Sequence, residues 1–204
     1  MAALSEYLTA HRGRTTIMHV EPTELNDILI ITPRVFQDAR GFFFESYNQE
    51  TWRGHGISTI FVQDNHSRST RGTLRGLHFQ LPPLAQVKLI RCVRGAVWDV
   101  GVDIRVGSPT FGRWVGVELS ADNFQQLYIP AGFAHGFYVL SDEAEVLYKT
   151  SAVYSKPHEQ GIAWDDPQLA IGWPGPAPLL SDRDRALPSL AEYITGTPFV
   201  YEGC

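Results

Sequence analysis

AVWDVGVDIR, residues 96–105, is the stretch that decides the fold class. Its apolar side chains recur at every second position and are Trp98, Val100, Val102 and Ile104. The positions between them are Asp99, Gly101, Asp103 and Arg105. A period of two predicts a β-strand, because successive side chains of a strand point to opposite faces. The run before it, residues 87–93 (VKLIRCV), predicts another strand, and Arg94-Gly95 predicts the turn between them.

The rest of the chain is organised in the same way, as short apolar runs separated by turns. Its 18 glycines and 13 prolines punctuate runs that are rich in Val, Ile, Phe, Tyr and Trp. Further strands are predicted at residues 28–35, 41–46, 114–119, 126–129, 136–140 and 145–150. Short helices are predicted at residues 51–55, 120–124 and 188–194, with Ser120 as an N-cap. We therefore expect residues 1–204 to form one all-β domain, a jelly roll or barrel with a few short helices, because closure protects strand edges.

Length, charge and cysteine content restrict the class of protein. A chain of 204 residues can bury one good core. The net charge of −5 gives no basic surface for nucleic acid. Cys92 and Cys204 indicate neither a disulfide framework nor a cysteine zinc site. The first residues lack the apolar region of a signal peptide, and no run is long enough to span a membrane. We expect a reduced, cytoplasmic protein that binds neither nucleic acid nor membrane.

The densest set of chemically useful side chains lies in residues 72–88, GTLRGLHFQLPPLAQVK. On a strand, Gly76, His78 and Gln80 would share one face, and Leu77 and Phe79 the other. We expect the apolar pair to pack against a second sheet and the polar set to point into the barrel mouth. The nearby cations Arg75 and Lys88 favour a functional site, because cations are rarely buried without a role.

Other candidate stretches are weaker when each is taken alone. His135 lies in residues 128–137 (YIPAGFAHGF), and Asp184 ends residues 181–184 (SDRD). Tyr148 is equally consistent with an ordinary barrel aromatic, and Asp184 with a turn residue. Residues 38–45 (DARGFFFE), which contain Arg40 and Glu45, are also consistent with a surface hairpin that carries an ion pair. The histidines that we expect at the surface or in the core are His11, His19, His55, His66 and His158.

A metal site is disfavoured by the residues at the expected ligand positions. Cupin-type barrels often hold a metal with histidines and a carboxylate. Here Gln80 stands where a second histidine would be expected, and Lys88 stands near the place of the carboxylate. A cation repels a metal ion, so these residues favour a site without a metal. A cation-lined pocket suits an anion or an enolate.

With these residues in view, the sequence resembles the dTDP-4-dehydrorhamnose 3,5-epimerase family from about residue 18 to 190. The blocks that carry the resemblance are residues 36–45 (FQDARGFFFE), 63–67 (QDNHS), 72–80 (GTLRGLHFQ), 86–89 (QVKL), 99–110 (DVGVDIRVGSPT), 128–137 and 165–167 (DDP). The resemblance implies a cupin-like jelly-roll homodimer that needs neither metal nor cofactor. It also implies conversion of dTDP-4-dehydro-6-deoxy-D-glucose to dTDP-4-dehydro-L-rhamnose, on the route to dTDP-L-rhamnose and cell-surface polysaccharide such as lipopolysaccharide O antigen.

The resemblance also implies roles for individual residues. His78 matches the catalytic base, Asp184 its orienting carboxylate, Tyr148 the proton donor, and Lys88 a residue near the keto oxygen. The positions that match substrate-binding residues are Arg40, Glu45, Gln63, Asn65, Arg75, His135, Tyr154, Glu159 and Arg183. Arg183 stands where many members have lysine, which keeps the charge but changes the geometry.

Three alternatives remain open. A 3- or 5-mono-epimerase of a dTDP-deoxysugar pathway would use the same base and acid, with one centre of the sugar out of reach. A metal-dependent cupin such as a dioxygenase is disfavoured by Gln80 and Lys88. A non-catalytic sugar-nucleotide-binding module is disfavoured because binding alone requires neither a base nor an opposed acid.

Overall fold

The computed structural model describes residues 18–196, 198–201 and 203. Within these residues, two antiparallel sheets contain most of the strands. The first sheet has the order β1 (Met18–Pro22), β2 (Leu29–Pro33), β11 (Gln126–Ile129), β7 (Lys88–Arg94), β13 (Glu143–Thr150) and β5 (Gln63–Thr70). The second has the order β10 (Trp114–Ser120), β8 (Ala96–Asp103), β12 (Phe133–Val139), β6 (Leu74–Gln80) and β14 (Glu159–Gly161). The all-β, jelly-roll prediction is confirmed.

Smaller elements decorate this sandwich. β3 (Phe36–Asp38) and β4 (Gly41–Phe43) form a hairpin, and β9 (Arg105–Val106) pairs in parallel with β15 (Phe199–Val200). The helices in the described residues are α1 (Gln49–Arg53), α2 (Asp182–Arg185) and α3 (Leu190–Thr195). None of the helices in these ranges is long and apolar enough to cross a membrane.

The main core lies between the two sheets. It contains side chains from both, such as Ile90 and Val146 of the first sheet and Val97, Phe137 and Val139 of the second, all less than 5% exposed. The two apolar runs that flank Arg94-Gly95 therefore come to lie in opposite sheets.

A second apolar layer covers the outer face of the second sheet. Leu77 and Phe79 of β6 pack there with Ile162, Leu190 and Tyr193 of the C-terminal segment. The expectation that Leu77 and Phe79 pack against a second sheet is therefore wrong, because the C-terminal segment occupies their side. The other half of the expectation is confirmed: His78 and Gln80 point into the cavity between the sheets.

The helix expected at residues 120–124 is also wrong. Ser120 ends β10, and its hydroxyl accepts a hydrogen bond from the Asn123 amide at 3.0 Å. Asn123 Oδ1 in turn accepts from the Ser120 and Gln125 amides at 3.1 and 3.0 Å. Phe124 then has φ of 58°, a left-handed conformation that a right-handed helix does not contain. The capping serine therefore closes a turn between strands.

The remaining boundaries differ by a few residues. The strand expected at 41–46 ends at Phe43, and the strand expected at 96–105 is divided into β8 and β9. Helices α1 and α3 overlap the predicted segments, and each begins directly after a polar N-cap, Asn48 or Ser189. Our expectations for His11, Cys204 and the signal-peptide region concern residues outside the described ones.

Candidate active site

A polar cavity of about 470 Å³ opens between the two sheets. The second sheet contributes His78 and His135, and the first contributes Lys88, Tyr148 and Asn65. Most of the predicted site residues meet in it. These are Gln63, Asn65, Arg75, His78, Lys88, His135, Tyr148, Tyr154, Glu159, Arg183 and Asp184. The polar residues that the sequence analysis expected at the barrel mouth therefore line one cavity of the fold.

Two glycines allow the histidine-bearing strands to approach each other. His78 of β6 lies opposite His135 of β12, and the register shifts directly beyond this pair. Gly76 has φ of 139°, and a Cβ there would lie 2.5 Å from the Gly136 Cα. A Cβ on Gly136 would lie 2.9 Å from the Arg75 carbonyl oxygen. Glycine is therefore required on both strands next to the histidines.

His78 and Asp184 form a close polar pair in the cavity. His78 Nε2 lies 2.6 Å from Asp184 Oδ1, and Asp184 is 5% exposed. Burial raises the pKa of the Asp184 carboxyl, but the hydrogen bond and charge of His78 outweigh this and leave the pKa below its ordinary value. A carboxylate accepts hydrogen bonds only, so Nε2 carries the hydrogen and Nδ1 is the nitrogen that can take a proton.

Lys88 is a buried cation beside this pair. It is 7% exposed, and Nζ donates to the His78 carbonyl oxygen at 2.9 Å. Burial lowers the pKa of Lys88 to about 8, although the negative charges of Asp99 and Glu159 oppose the shift. The ammonium form still predominates at neutral pH. A concentrated positive charge therefore lies next to the candidate base.

His135 is paired with a carboxylate that the sequence analysis did not select. Asp99 of β8 is fully buried, and its Oδ1 lies 2.9 Å from His135 Nε2. Burial lowers the pKa of His135 in spite of the nearby Asp99 charge. The strand pattern alone could not select Asp99, because its partner His135 lies on the neighbouring strand β12.

Tyr148 lies across the cavity from His78, because β13 and β6 belong to facing sheets. Its side chain is half-buried. Burial raises the pKa of Tyr148, and the nearby Arg75 charge opposes that shift. A phenol with a raised pKa keeps its proton at neutral pH, so Tyr148 is suited to donate a proton rather than to accept one.

The rim of the cavity is a chain of polar contacts. The Tyr154 hydroxyl donates to Glu159 Oε2 at 2.7 Å, and Arg183 Nη2 lies 2.6 Å from Glu159 Oε1. Burial raises the pKa of Glu159, but the hydrogen bonds from Arg183 and Tyr154 outweigh it and the net shift is downward. Arg75 Nε donates to Ser69 Oγ at 3.0 Å. Arg75 and Arg183 thus place positive charge at the entrance.

Arg40 and Glu45 are the predicted residues that do not line the cavity of their own chain. Arg40 lies exposed on the β3–β4 hairpin, where Nη2 is 2.5 Å from Asp38 Oδ2. Glu45 accepts hydrogen bonds from Asn48 Nδ2 at 2.8 Å and Thr51 Oγ1 at 3.1 Å. The alternative reading of this stretch, a hairpin with an ion pair, describes this chain, with Asp38 as the partner of Arg40.

Several lining residues were missed by the sequence analysis. They include Ser67, Thr73, Gln86, Phe137, Leu179 and Ser181. Ser67 had a usable signal, because Gln63, Asn65 and Ser67 alternate along β5 and all point into the cavity. Leu179 and Ser181 come from an irregular C-terminal segment, where periodicity carries no information.

The chemistry of the cavity favours proton transfer beside a stabilised negative charge. A paired imidazole lies on one sheet, a phenol lies on the other, and an ammonium group lies next to the imidazole. Within the residues described, no group of three or more His, Cys, Asp or Glu side chains is arranged to hold a metal ion. A base and an acid on opposite walls can remove a proton from one face of a carbon and return it to the other.

The sequence of this chain is similar to those of known enzymes of one family. A family model described as dTDP-4-dehydrorhamnose 3,5-epimerase matches residues 22–192. The enzyme of that name from Shigella flexneri is 61% identical over 168 residues, which cover 82% of this chain and 93% of that protein.

Solved structures agree with the sequence comparison. A dTDP-6-deoxy-D-glucose-3,5-epimerase from Legionella pneumophila, in complex with dTDP-4-keto-L-rhamnose, superposes with a TM-score of 0.88 at 46% identity, and covers 91% of this chain and all of that one. A 3′-monoepimerase from Streptomyces bikiniensis, in complex with dTDP-quinovose, has a TM-score of 0.84 at 38% identity, over 89% and 93% of the two chains. The protein described here belongs to the dTDP-4-dehydrorhamnose 3,5-epimerase family.

Proposed function

We propose that this protein is a dTDP-4-dehydrorhamnose 3,5-epimerase that converts dTDP-4-dehydro-6-deoxy-D-glucose to dTDP-4-dehydro-L-rhamnose. The observation that carries the proposal is the arrangement of His78, Lys88 and Tyr148 around one cavity, with base and acid on facing sheets. The high identity to epimerases of that name over most of the chain supports it.

In this proposal His78 removes the proton. The C4 ketone acidifies the hydrogens on C3 and C5, so loss of either one gives an enolate. His78 accepts the proton on Nδ1, and Asp184 holds the ring through Nε2 and stabilises the imidazolium that forms. The carboxylate remains ionised throughout, since the pKa of Asp184 lies below its ordinary value.

Lys88 and Tyr148 complete each inversion. Negative charge builds on O4 as the proton leaves, and the buried ammonium of Lys88 stabilises it. Tyr148 then donates its proton to the carbon from the opposite wall of the cavity. Before the second inversion His78 releases its proton to water and Tyr148 takes one up from water. The same base, cation and acid then serve C3 and C5 in turn if the sugar shifts between the two steps.

The nucleotide end is assigned to the rim. Arg75 and Arg183 carry the positive charge that a diphosphate requires, and guanidinium groups match phosphate oxygens. Gln63, Asn65, His135 and Glu159 offer hydrogen bonds to the sugar and base. Binding of these remote groups orients the reacting carbons between His78 and Tyr148.

We also propose a homodimer in which Arg40 and Glu45 reach the cavity of the partner chain. Within one chain they lie away from the cavity on and beside an exposed hairpin. The same hairpin exposes Phe42 and Phe43 by 58% and 39%, which is consistent with an interface.

We assign the protein to the cytoplasm, where nucleotide sugars are made and Cys92, a buried free thiol, would remain reduced.

A mono-epimerase is the second candidate, because a 3′-monoepimerase also superposes on this chain. Its chemistry requires the same base and acid, so the two candidates differ only in which carbons reach His78. The deciding experiment is proton NMR of dTDP-4-dehydro-6-deoxy-D-glucose with chelator-treated enzyme in D₂O. Deuterium at both C3 and C5, with the product trapped by a reductase, supports the double epimerase.

Two other outcomes would change the assignment. Deuterium and inversion at one carbon alone would replace the double epimerase by the mono-epimerase. Absence of exchange at both carbons would reject this substrate for the protein.

A further inference from the structure

The loop after β13 is bound on both sides of Tyr154 by one buried glutamine. Gln80, at the end of β6, is 3% exposed. Its Nε2 donates to the Val153 carbonyl at 3.2 Å and to the Leu84 carbonyl at 2.8 Å. Its Oε1 accepts from the Ser155 amide at 2.7 Å. The peptide groups before and after Tyr154 are therefore held by the same side chain.

Two further glutamines hold the neighbouring backbone. The Tyr154 amide donates to Gln63 Oε1 at 2.8 Å, and Gln86 Nε2 donates to the Ala152 carbonyl at 2.9 Å. At the other end of the residue, the Tyr154 hydroxyl is held by Glu159, which lies opposite Gln80 in the β6–β14 ladder. The Tyr154 ring, 52% exposed, thus has a fixed place at the rim of the cavity.

The amide of glutamine is matched to this position. Two carbonyl oxygens require the two hydrogens of Nε2, and the Ser155 amide requires the acceptor Oε1. A glutamate would direct oxygen at both carbonyls, and an apolar side chain would remove all three hydrogen bonds from these partly buried peptide groups. The hydrogen bonds of the loop therefore require a glutamine at position 80. This requirement explains why Gln80 stands where a metal site would have a second histidine.

We propose that Gln80 is a positioning residue for ligand binding, which acts by holding Tyr154 in its binding conformation. The inference rests on the proposed function in taking the rim as the nucleotide end. A loop that leaves this conformation lowers the apparent affinity by the fraction of molecules that remain competent. Gln80 therefore affects binding of the nucleotide and leaves proton transfer at His78 intact.

The test measures binding of thymidine diphosphate alone by calorimetry, together with kcat and KM. For Gln80→Met and Gln80→Glu we expect Kd and KM to rise about tenfold with kcat within about threefold of the wild type. Gln160→Met, at an exposed glutamine of β14, is the matched control and should leave both constants unchanged. Hydrogen exchange should become faster in the peptide that spans residues 152–156 of the Gln80 variants.

A double-mutant cycle separates action through Tyr154 from a general loss of structure. Tyr154→Leu should weaken thymidine diphosphate binding in the wild type, and should weaken it little further in Gln80→Met. Full additivity of the two changes would overturn the inference, as would wild-type Kd in a folded Gln80→Met protein. If Gln80→Met does not fold, Gln80→Glu serves in its place, because it keeps the size of the side chain but loses both donors of Nε2. A wild-type Kd in that folded variant would overturn the inference.

Failure of the proposed function gives a different result. A wild-type protein that binds thymidine diphosphate but exchanges no deuterium would reject the epimerase, while the binding data would still decide the role of Gln80. A wild-type protein that does not bind thymidine diphosphate would overturn the inference itself.

Discussion

At the scale of single residues, His78 and Asp184 share a 2.6 Å hydrogen bond, so substitutions at the two positions should separate proton transfer from orientation. We expect His78→Ala to abolish deuterium exchange at both C3 and C5, because one base serves both carbons. Asp184→Asn should lower kcat by about 10²–10⁴, since it no longer fixes the tautomer of His78. The measurement is NMR-detected exchange in D₂O, with His66→Ala, at an exposed histidine, as control. Retained exchange at either carbon in His78→Ala would mean that a second base operates.

Lys88 predicts a pH dependence, because burial lowers its pKa to about 8. The ammonium form is the one that stabilises the enolate, so kcat should fall as pH rises through about 8. In Lys88→Met this alkaline limb should disappear and kcat should be lower by about 10²–10³ at neutral pH. The measurement is the pH profile of kcat for both proteins. A wild-type alkaline limb that persists in Lys88→Met would assign it to another group.

The same residue should change stability in the opposite direction. The folded protein loses the Lys88 proton near pH 8 and an ordinary lysine near 10.5, so the unfolded chain binds more protons between these values. The free energy of unfolding of the wild type, relative to Lys88→Met, should therefore increase by up to about 3 kcal/mol as pH rises through this window. Denaturant titrations at pH 7 and pH 10.5 measure it, with Lys156→Met, at an exposed lysine, as control. A constant difference between the wild type and Lys88→Met would contradict the buried-cation assignment.

The candidate site could be predicted from the types of its residues, whereas the contacts of those residues in the fold could not. His78, Lys88, Tyr148 and Asp184 were identified from their types and the family resemblance, and the fold brings all of them to one cavity. Asp99 was not, because its pairing with His135 joins neighbouring strands that are 36 residues apart in sequence. Such a contact depends on register, which a single strand pattern does not specify.

At the scale of elements, helix α2 matters because it carries Asp184. Ser181 is its N-cap and accepts a hydrogen bond from the Asp184 amide at 3.0 Å. Ser189 caps α3 in the same way, because its side chain accepts a hydrogen bond from the Glu192 amide. Helix α3 carries none of the candidate site residues. We expect Ser181→Ala and Ser189→Ala each to lower the free energy of unfolding by about 1 kcal/mol, as loss of an N-cap does.

Only the first of these substitutions should affect catalysis. Ser181→Ala should lower kcat because it loosens Asp184, and Ser181→Asn, another good N-cap, should restore it. Ser189→Ala should leave kcat unchanged. Steady-state kinetics and denaturant titrations on the three variants measure these effects. Equal losses of kcat in Ser181→Ala and Ser189→Ala would show that stability, and not the position of Asp184, is responsible.

Strands could be predicted where one face is apolar, and they were missed where the cavity requires polar side chains. β8 was visible from its alternation, whereas β5 (QDNHSRST) contains no large apolar residue. The inward side chains of β5, such as Gln63 and Asn65, line a polar cavity, so the usual contrast between its faces is absent. β14 is three residues long and is specified by its ladder with β6 rather than by its own sequence.

At the scale of the whole molecule, we propose that each site contains residues from two chains, with Arg40 supplied by the partner. The cavity of its own chain does not include Arg40, which lies exposed on a hairpin with Phe42. If Arg40 serves the partner, a mixed dimer of Arg40→Ala and His78→Ala chains has one intact site, because the first chain keeps His78 and receives Arg40 from the second. We expect each homodimer to be impaired and the isolated mixed dimer to regain about half of the wild-type activity.

Differently tagged chains allow the mixed dimer to be purified after coexpression, and sedimentation confirms its size. If Arg40 instead acts within its own chain, each site of the mixed dimer carries one lesion and its activity stays at the level of the homodimers. An Arg40→Ala homodimer with full activity would remove Arg40 from the site altogether, and a fully active monomer would reject the exchange of residues between chains. Recovery of about half the activity can arise only when one chain supplies Arg40 and the other supplies His78, since no site in the mixed dimer is otherwise complete.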